Sequence, residues 1–242
     1  MSLKNKRALV TGATSGIGRA TAEALAREGA VVLVSGRDRE RGGEVVDGIR
    51  DAGGTAELLP GDLATPGGVA AVLDQAGEVD ILVNNAGVSP GGPTHEISGG
   101  AFDEAFAVNV RAPFFLTAAL APKMAERGTG AIVNVTTMVA EFGMPGLSVY
   151  GASKAATALL TKAWAAEYGP SGVRVNAVSP GPTHTPGTAG MGDGFAQIVG
   201  TIPMGRAAEP EEIADAIVFL ASDHASYLNG AVVPVDGGRL AV

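Results

Sequence analysis

Short runs of β-branched and aliphatic residues alternate with longer alanine-rich stretches from one end of this chain to the other. Runs at 7–11, 31–35, 56–59, 80–83, 131–136, 173–177 and 232–235 read as strands. Amphipathic or apolar stretches at 16–28, 39–52, 67–76, 101–126, 149–168 and 210–222 read as helices, the fourth bent near Pro113. The strands are apolar at nearly every position rather than at alternate ones, so both of their faces must be covered. Helices between such strands cover both faces of a parallel sheet, and right-handed crossovers make it a single doubly wound α/β domain with about seven strands. No linker, repeat or low-complexity tract divides residues 1–242, so one domain is expected. The one long irregular segment, 180–208, is rich in glycine and proline. It reads as a flap, over about 183–208, that covers a binding cleft.

Composition narrows the function. Of 242 residues, 46% are hydrophobic and 17% charged, which suits a well-buried globular protein. The net charge of −8, with no cluster of Lys or Arg, argues against nucleic acid and anionic membranes as partners. With no Cys, the chain has no disulfide, thiolate metal site or cysteine nucleophile. The three histidines, His95, His184 and His224, form no ligand pair, so no metal is expected. Residues 1–10 lack the apolar core of a signal peptide, and the most apolar helical run, 112–121, is too short for a bilayer. A cytoplasmic enzyme is the expectation.

Thr11-Gly12-Ala13-Thr14-Ser15-Gly16-Ile17-Gly18 joins the first strand to the first helix. Its glycines allow a tight turn and let a pyrophosphate approach the free amides of the helix N-terminus. An acid that would hold the adenosine ribose in NAD-selective folds is missing before Arg37, where the second strand ends Val34-Ser35-Gly36. A guanidinium binds a 2′-phosphate that a carboxylate would repel. NADP is therefore preferred, NAD being the alternative, with Ser15 and Ser35 as supporting hydroxyls. Asp62-Leu63, just after the third strand, falls where the adenine would lie; a loop Asp at such a place also suits a helix N-cap.

Tyr150 and Lys154 stand one helical turn apart on one face. An ammonium beside a phenol favours the phenolate, which would bring Tyr150 into range for proton transfer near neutrality. With the glycine turn, Asp62, Asn84-Asn85-Ala86-Gly87, Asn109, Pro180-Gly181 and the ending Asn229-Gly230…Val235-Asp236-Gly237-Gly238, the pair resembles the short-chain dehydrogenase/reductase family over essentially the whole chain. The resemblance implies a seven-stranded sheet of Rossmann type, a nicotinamide cofactor, hydride exchange between a carbonyl and an alcohol, and a homotetramer. It also implies that Asn85, Ala86 and Gly87 line the middle of the cofactor. Pro180, Gly181, Thr183 and Thr185 would then close over the nicotinamide. Asn109 would hold a water in a proton relay, and Lys154 would bind the nicotinamide ribose beside tuning Tyr150.

One position departs from the family's pattern. The catalytic hydroxyl thirteen residues before the Tyr is usually Ser, and here it is Thr137, preceded by Thr136. Thr offers the same donor and acceptor, but its methyl narrows the pocket and fixes the rotamer. Thr137 is expected to orient a substrate carbonyl; the competing reading is a nucleotide-binding regulator without turnover. The substrate pocket is expected from Met138, Val139, Glu141, Phe142 and Met144, from His95 and Glu96, and from the flap with His184. These suit a small-molecule ketone or secondary alcohol. A divergent enoyl reductase of the related type would space its Tyr and Lys more widely.

Overall fold

The computed structural model describes residues 3–242. Seven strands form one parallel sheet: β1 (Arg7–Thr11), β2 (Val31–Gly36), β3 (Thr55–Pro60), β4 (Ile81–Asn84), β5 (Gly130–Val135), β6 (Val173–Pro180) and β7 (Val232–Val235), in the order β3-β2-β1-β4-β5-β6-β7. Register aligns one row of side chains, Leu33, Leu9, Leu82 and Ile132, on one face. The next row, Val34, Val10, Val83 and Val133, falls on the other. All eight are fully buried. The leucine face packs against α3 (Pro66–Ala76), α5 (Ala112–Glu126) and α6 (Ser148–Tyr168) through Val72, Leu116, Leu120 and Trp164. The valine face packs against α1 (Gly16–Arg27), α2 (Arg39–Asp51) and α8 (Pro210–Ala221) through Leu25, Val45, Ile213 and Ile217. Burying each such side chain stabilises the fold by roughly 1.5–3 kcal/mol, which is why strands apolar at every position demand helices on both sides.

Three local expectations are corrected. β6 runs to Pro180, three residues beyond 177, because its last residues pair with Pro234 and Val235 of β7. The segment 180–208 is not irregular throughout: it carries a 3₁₀ turn at Ala189–Met191 and a short helix, α7 (Asp193–Val199). The irregularity in the long helix is a π-helical turn just before Pro113. α4 (Gly99–Phe106) passes through a π-helical turn, Ala107–Arg111, into α5. Pro113 sits in the first turn of α5, where its missing N–H costs little. The run at 112–121 is thereby part of a 28-residue rod, Gly99–Glu126, long and apolar enough by length and composition to cross a membrane, with half of its most apolar window buried inside the protein.

β1 and β4 are neighbours, and their connections leave in opposite directions, which opens a crevice beyond their carboxyl ends. Thr11 ties the two strands together there. Its hydroxyl donates to the Val83 carbonyl (3.2 Å) and accepts from the amides of Asn85 (3.0 Å) and Ala86 (3.1 Å). Asn85 returns the contact, its Nδ2 donating to the carbonyls of Thr11 (2.9 Å) and Gly12 (3.2 Å). The glycines are required by contact. Gly12 has φ +63°, and a Cβ on Gly18 would lie 2.2 Å from the Gly12 carbonyl oxygen.

Candidate active site

A single cleft runs from the glycine turn to the start of α6. Gly12, Thr14, Ser15, Gly16, Ile17 and Gly18 line one end of it. Ser15, the N-cap of α1, is extended (φ −164°) and its side chain makes no capping hydrogen bond, so the first-turn amides have no side-chain partner. Arg37 also lines the cleft and is joined by Asp38 and Arg41, which sequence reading did not single out. Asp38 caps α2, accepting from the Arg41 amide at 3.0 Å, and holds the Arg41 guanidinium at 2.6 Å; the amide bond first, and the guanidinium second, keep its carboxyl below the usual range. Arg37 reaches Glu104 only at 4.0 Å. Asp62 and Leu63 line the same end; the Asp62 carboxylate accepts from the Ala64 amide (3.1 Å), the turn-capping contact open to any loop Asp. Ser35 does not: it is wholly buried, does not line the cleft, and its hydroxyl has no hydrogen-bond partner. Inward-facing strand register, not the chemistry of the residue, decides this.

Asn85, Ala86 and Gly87 continue the lining beyond β4, and Pro180, Gly181, Thr183 and Thr185 face them from the end of β6. Between them stand Thr137, Tyr150 and Lys154. Burial holds the Tyr150 phenol above its ordinary pKa, and the neighbouring Thr137 hydroxyl only partly counters it. The expected lowering by the Lys154 ammonium is not what governs Tyr150. Lys154 is itself buried, its Nζ donating to the Val135 carbonyl at 2.7 Å, and burial lowers its pKa to about 8.

Asn109 does not line the cleft but is buried just behind it, in the π-helical turn. Its Oδ1 accepts from the Val88 amide and its Nδ2 donates to the Val88 carbonyl, both at 2.9 Å. The same Nδ2 donates to Ser153 Oγ (2.9 Å), and the Ser153 hydroxyl donates to the Tyr150 carbonyl (2.8 Å). Thr157 Oγ1 donates to the Asn109 carbonyl at 2.8 Å. A Cβ at Gly87 would lie 3.2 Å from Lys154 Nζ and 3.3 Å from Asn109 Oδ1, so these two groups converge on the glycine. Sequence reading missed Ser153 and Thr157. Their signal was present: both lie on the Tyr150–Lys154 face of α6, at spacings of three and seven residues from Tyr150.

Beyond Tyr150 the walls are Met138, Val139, Met144 and Leu147 on one side and Met191, Phe195 and Ile198 of the flap on the other. Five expected pocket residues lie elsewhere. His95 and Glu96 sit on an exposed 3₁₀ turn and pair with each other at 3.6 Å. Glu141 is exposed, and Phe142 packs under the Arg239 guanidinium at 4.5 Å. His184 is behind the wall, its ring 5.4 Å from that of Phe195. Among the described residues no group of three or more His, Asp or Glu is placed to hold a metal.

The buried Lys154 predicts a pH signature. The unfolded chain keeps this proton to about the ordinary 10.5, whereas the folded protein releases it near about 8. Between these values the unfolded state binds more protons, so stability rises with pH; below about 8 the burial penalty is present in full. Urea unfolding should show wild type gaining up to about 3 kcal/mol over Lys154→Met across that window, at about 1.4 kcal/mol per unit. Parallel stability curves for the two proteins would show that Lys154 keeps its ordinary pKa.

A family model described as enoyl-(acyl carrier protein) reductase matches residues 12–239. A cis-4-hydroxycyclohexanecarboxylate dehydrogenase of Sinomonas cyclohexanicum is 42% identical, over 97% of this chain and 96% of the relative. The structure of a short chain dehydrogenase/reductase family protein superposes with a TM-score of 0.95 at 49% identity, covering all of both chains. A gluconate 5-dehydrogenase from Burkholderia cenocepacia J2315, solved with NADP and tartrate, gives 0.93 at 31% identity, over 100% of this chain and 97% of that one. Matches of this extent, on a seven-stranded parallel sheet with the cleft just described, place the chain in the short-chain dehydrogenase/reductase family of oxidoreductases.

Proposed function

We propose that this protein transfers a hydride between NADP(H) and a ketone or secondary alcohol, with Tyr150 as general acid and base. The observation that carries the reading is the Thr137–Tyr150 hydroxyl pair, set beside buried Lys154 in a cleft that continues to the glycine turn. The donor set fits a nicotinamide dinucleotide. Unpartnered first-turn amides of α1 suit a pyrophosphate, Lys154 a ribose diol, and the Thr183 and Thr185 region a carboxamide. When bound, the dinucleotide supplies or accepts the hydride.

The protein's own residues then orient the substrate and manage its proton. Thr137 and Tyr150 hydrogen-bond the carbonyl oxygen and fix the carbon between them. In reduction, Tyr150 gives its proton to that oxygen as negative charge develops, and Lys154 stabilises the phenolate left behind. Asn109, held from three sides, positions the inner end of a relay that returns a proton through Lys154. The raised pKa of Tyr150 keeps it protonated, as a donor must be, while hydride arrives. The four-residue spacing of Tyr150 and Lys154 favours carbonyl over enoyl chemistry. The reading includes one domain, a flap over the cleft and a cytoplasmic homotetramer. An exposed apolar face on α5 and α6, with Phe115 at 53% and Leu159 at 67% exposure, supports association.

Tyr150→Phe should fold and bind NADPH as wild type does, yet lose about 10³-fold in kcat for ketone reduction, the usual size of a general-acid contribution. Retention of a tenth or more of the activity would remove Tyr150 from the mechanism. For the cofactor, Arg37 with Arg41 supports the 2′-phosphate of NADP. NADPH should be used more efficiently than NADH, and Arg37→Ala should raise KM for NADPH by about 10- to 100-fold, the range for a lost charged hydrogen bond, while sparing NADH. Equal loss with both cofactors, or a wild-type preference for NADH, contradicts the assignment.

A further inference from the structure

The catalytic end of the cleft carries no charged side chain other than Lys154, which is turned to the Val135 carbonyl. The remaining cations that line the cleft, Arg37 and Arg41, stand beside α2 at the opposite end. Arg239 stacks on Phe142 and does not line the cleft. Nothing near Tyr150 is therefore placed to neutralise a carboxylate or phosphate on a substrate. An anion enclosed there would lose its hydration without gaining a partner, and that cost is large.

The uncharged polar groups are also committed. Thr136 donates its hydroxyl to the Val178 carbonyl at 2.9 Å. Thr188 donates to the carbonyls of Thr183 (2.8 Å) and Thr185 (3.1 Å), and Asn85 is spent on Thr11 and Gly12. Thr183 donates to the Gly181 carbonyl (3.0 Å) and Thr185 pairs with Thr188 (3.3 Å), so apart from Thr137 and Tyr150, Ser89 is the hydroxyl left as a donor among the lining residues around the catalytic end. A polyhydroxylated substrate would find one further side-chain donor for several hydroxyl oxygens, and each unmatched group weighs against it. The walls themselves are apolar and conformable. Met138 and Met144 face Met191 and Phe195 across the opening, so three of the chain's six methionines meet the substrate region. Thioethers adapt to hydrocarbon groups of varied outline.

We infer that the substrate is an uncharged, predominantly hydrocarbon ketone or secondary alcohol, its ring or chains held between Met138, Met144 and Leu147 and the flap residues Met191, Phe195 and Ile198, and that hydroxylated sugar acids are excluded. This rests on the oxidoreductase reading above and sets the chain apart from relatives whose substrates are carboxylates.

The test compares kcat/KM for cyclohexanone, 4-oxocyclohexanecarboxylate and 5-ketogluconate with saturating NADPH. Cyclohexanone should exceed each anion by at least about 20-fold, because only the anions must be desolvated unpaired. In Ile198→Arg, which supplies a cation at the flap, the ratio of cyclohexanone to 4-oxocyclohexanecarboxylate should fall at least about tenfold, as a charge pair forms. An anion turned over as well as cyclohexanone by the wild type overturns this inference while leaving the oxidoreductase reading intact. No turnover of any of the three, with NADPH bound, overturns that reading and this inference with it.

Discussion

Asn109 is the constraint on which the catalytic half of this structure depends. A buried amide left without partners costs roughly 1–3 kcal/mol for each unmet group, so its surroundings must supply them all. They do so by joining three separate elements. The Val88 backbone after β4 closes a two-point bond with the amide, Ser153 accepts from it, and Thr157 donates to its backbone carbonyl. A regular α-helix would turn the side chain away from one of these partners. The extra residue of the π-helical turn at Ala107–Arg111 re-aims it, and such turns commonly mark functional sites.

The same network extends into the sheet. Thr161 donates to the Thr157 carbonyl (2.9 Å), Asn134 donates to Thr161 (2.8 Å), and Asn84 donates to Asn134 (2.8 Å). The middle strands β4 and β5 are thus tied through α6 to the backbone of Tyr150. All of these residues are buried except Tyr150, which is half-buried, and the low dielectric that penalises the one unmatched group, Asn84 Oδ1, also stiffens the matched bonds. Lys154 is held against this frame with a penalty to its charge, visible in its lowered pKa. A ribose diol and a developing phenolate would offset that penalty, which suits the role proposed for Lys154.

Much of this was legible in the sequence, for physical reasons that differ by element. Strands apolar at every position, such as Leu82–Val83 and Ile132–Val133, leave no alternative to a sheet covered on both faces, and the seven of them appear where their patterning places them. Gly12, Gly16 and Gly18 were legible because only glycine fits their contacts. The π-helical turn was not, since it is set by partners 21 to 48 residues away and leaves the apolar pattern of the rod unbroken. α7 was hidden by the flanking glycines of the flap. Asp38 and Arg41 lie at the start of α2 with no motif to mark them, and Ser35 looked like a cleft hydroxyl until strand register turned it inward. Lys154 lines the cleft together with Tyr150, but composition gives no measure of burial, and burial reversed the expected shift of the phenol.

The account's central claim is direct hydride exchange with a carbonyl inside this cleft, and isotope transfer measures it most directly. Ketone reduction would be run with NADPH deuterated at C4 on one face or the other, in ordinary water. The account predicts that one of the two labelled cofactors delivers deuterium to the carbinol carbon of the alcohol product, while the other delivers none. An alcohol whose carbinol hydrogen comes from solvent with either cofactor, or no alcohol at all, would contradict it.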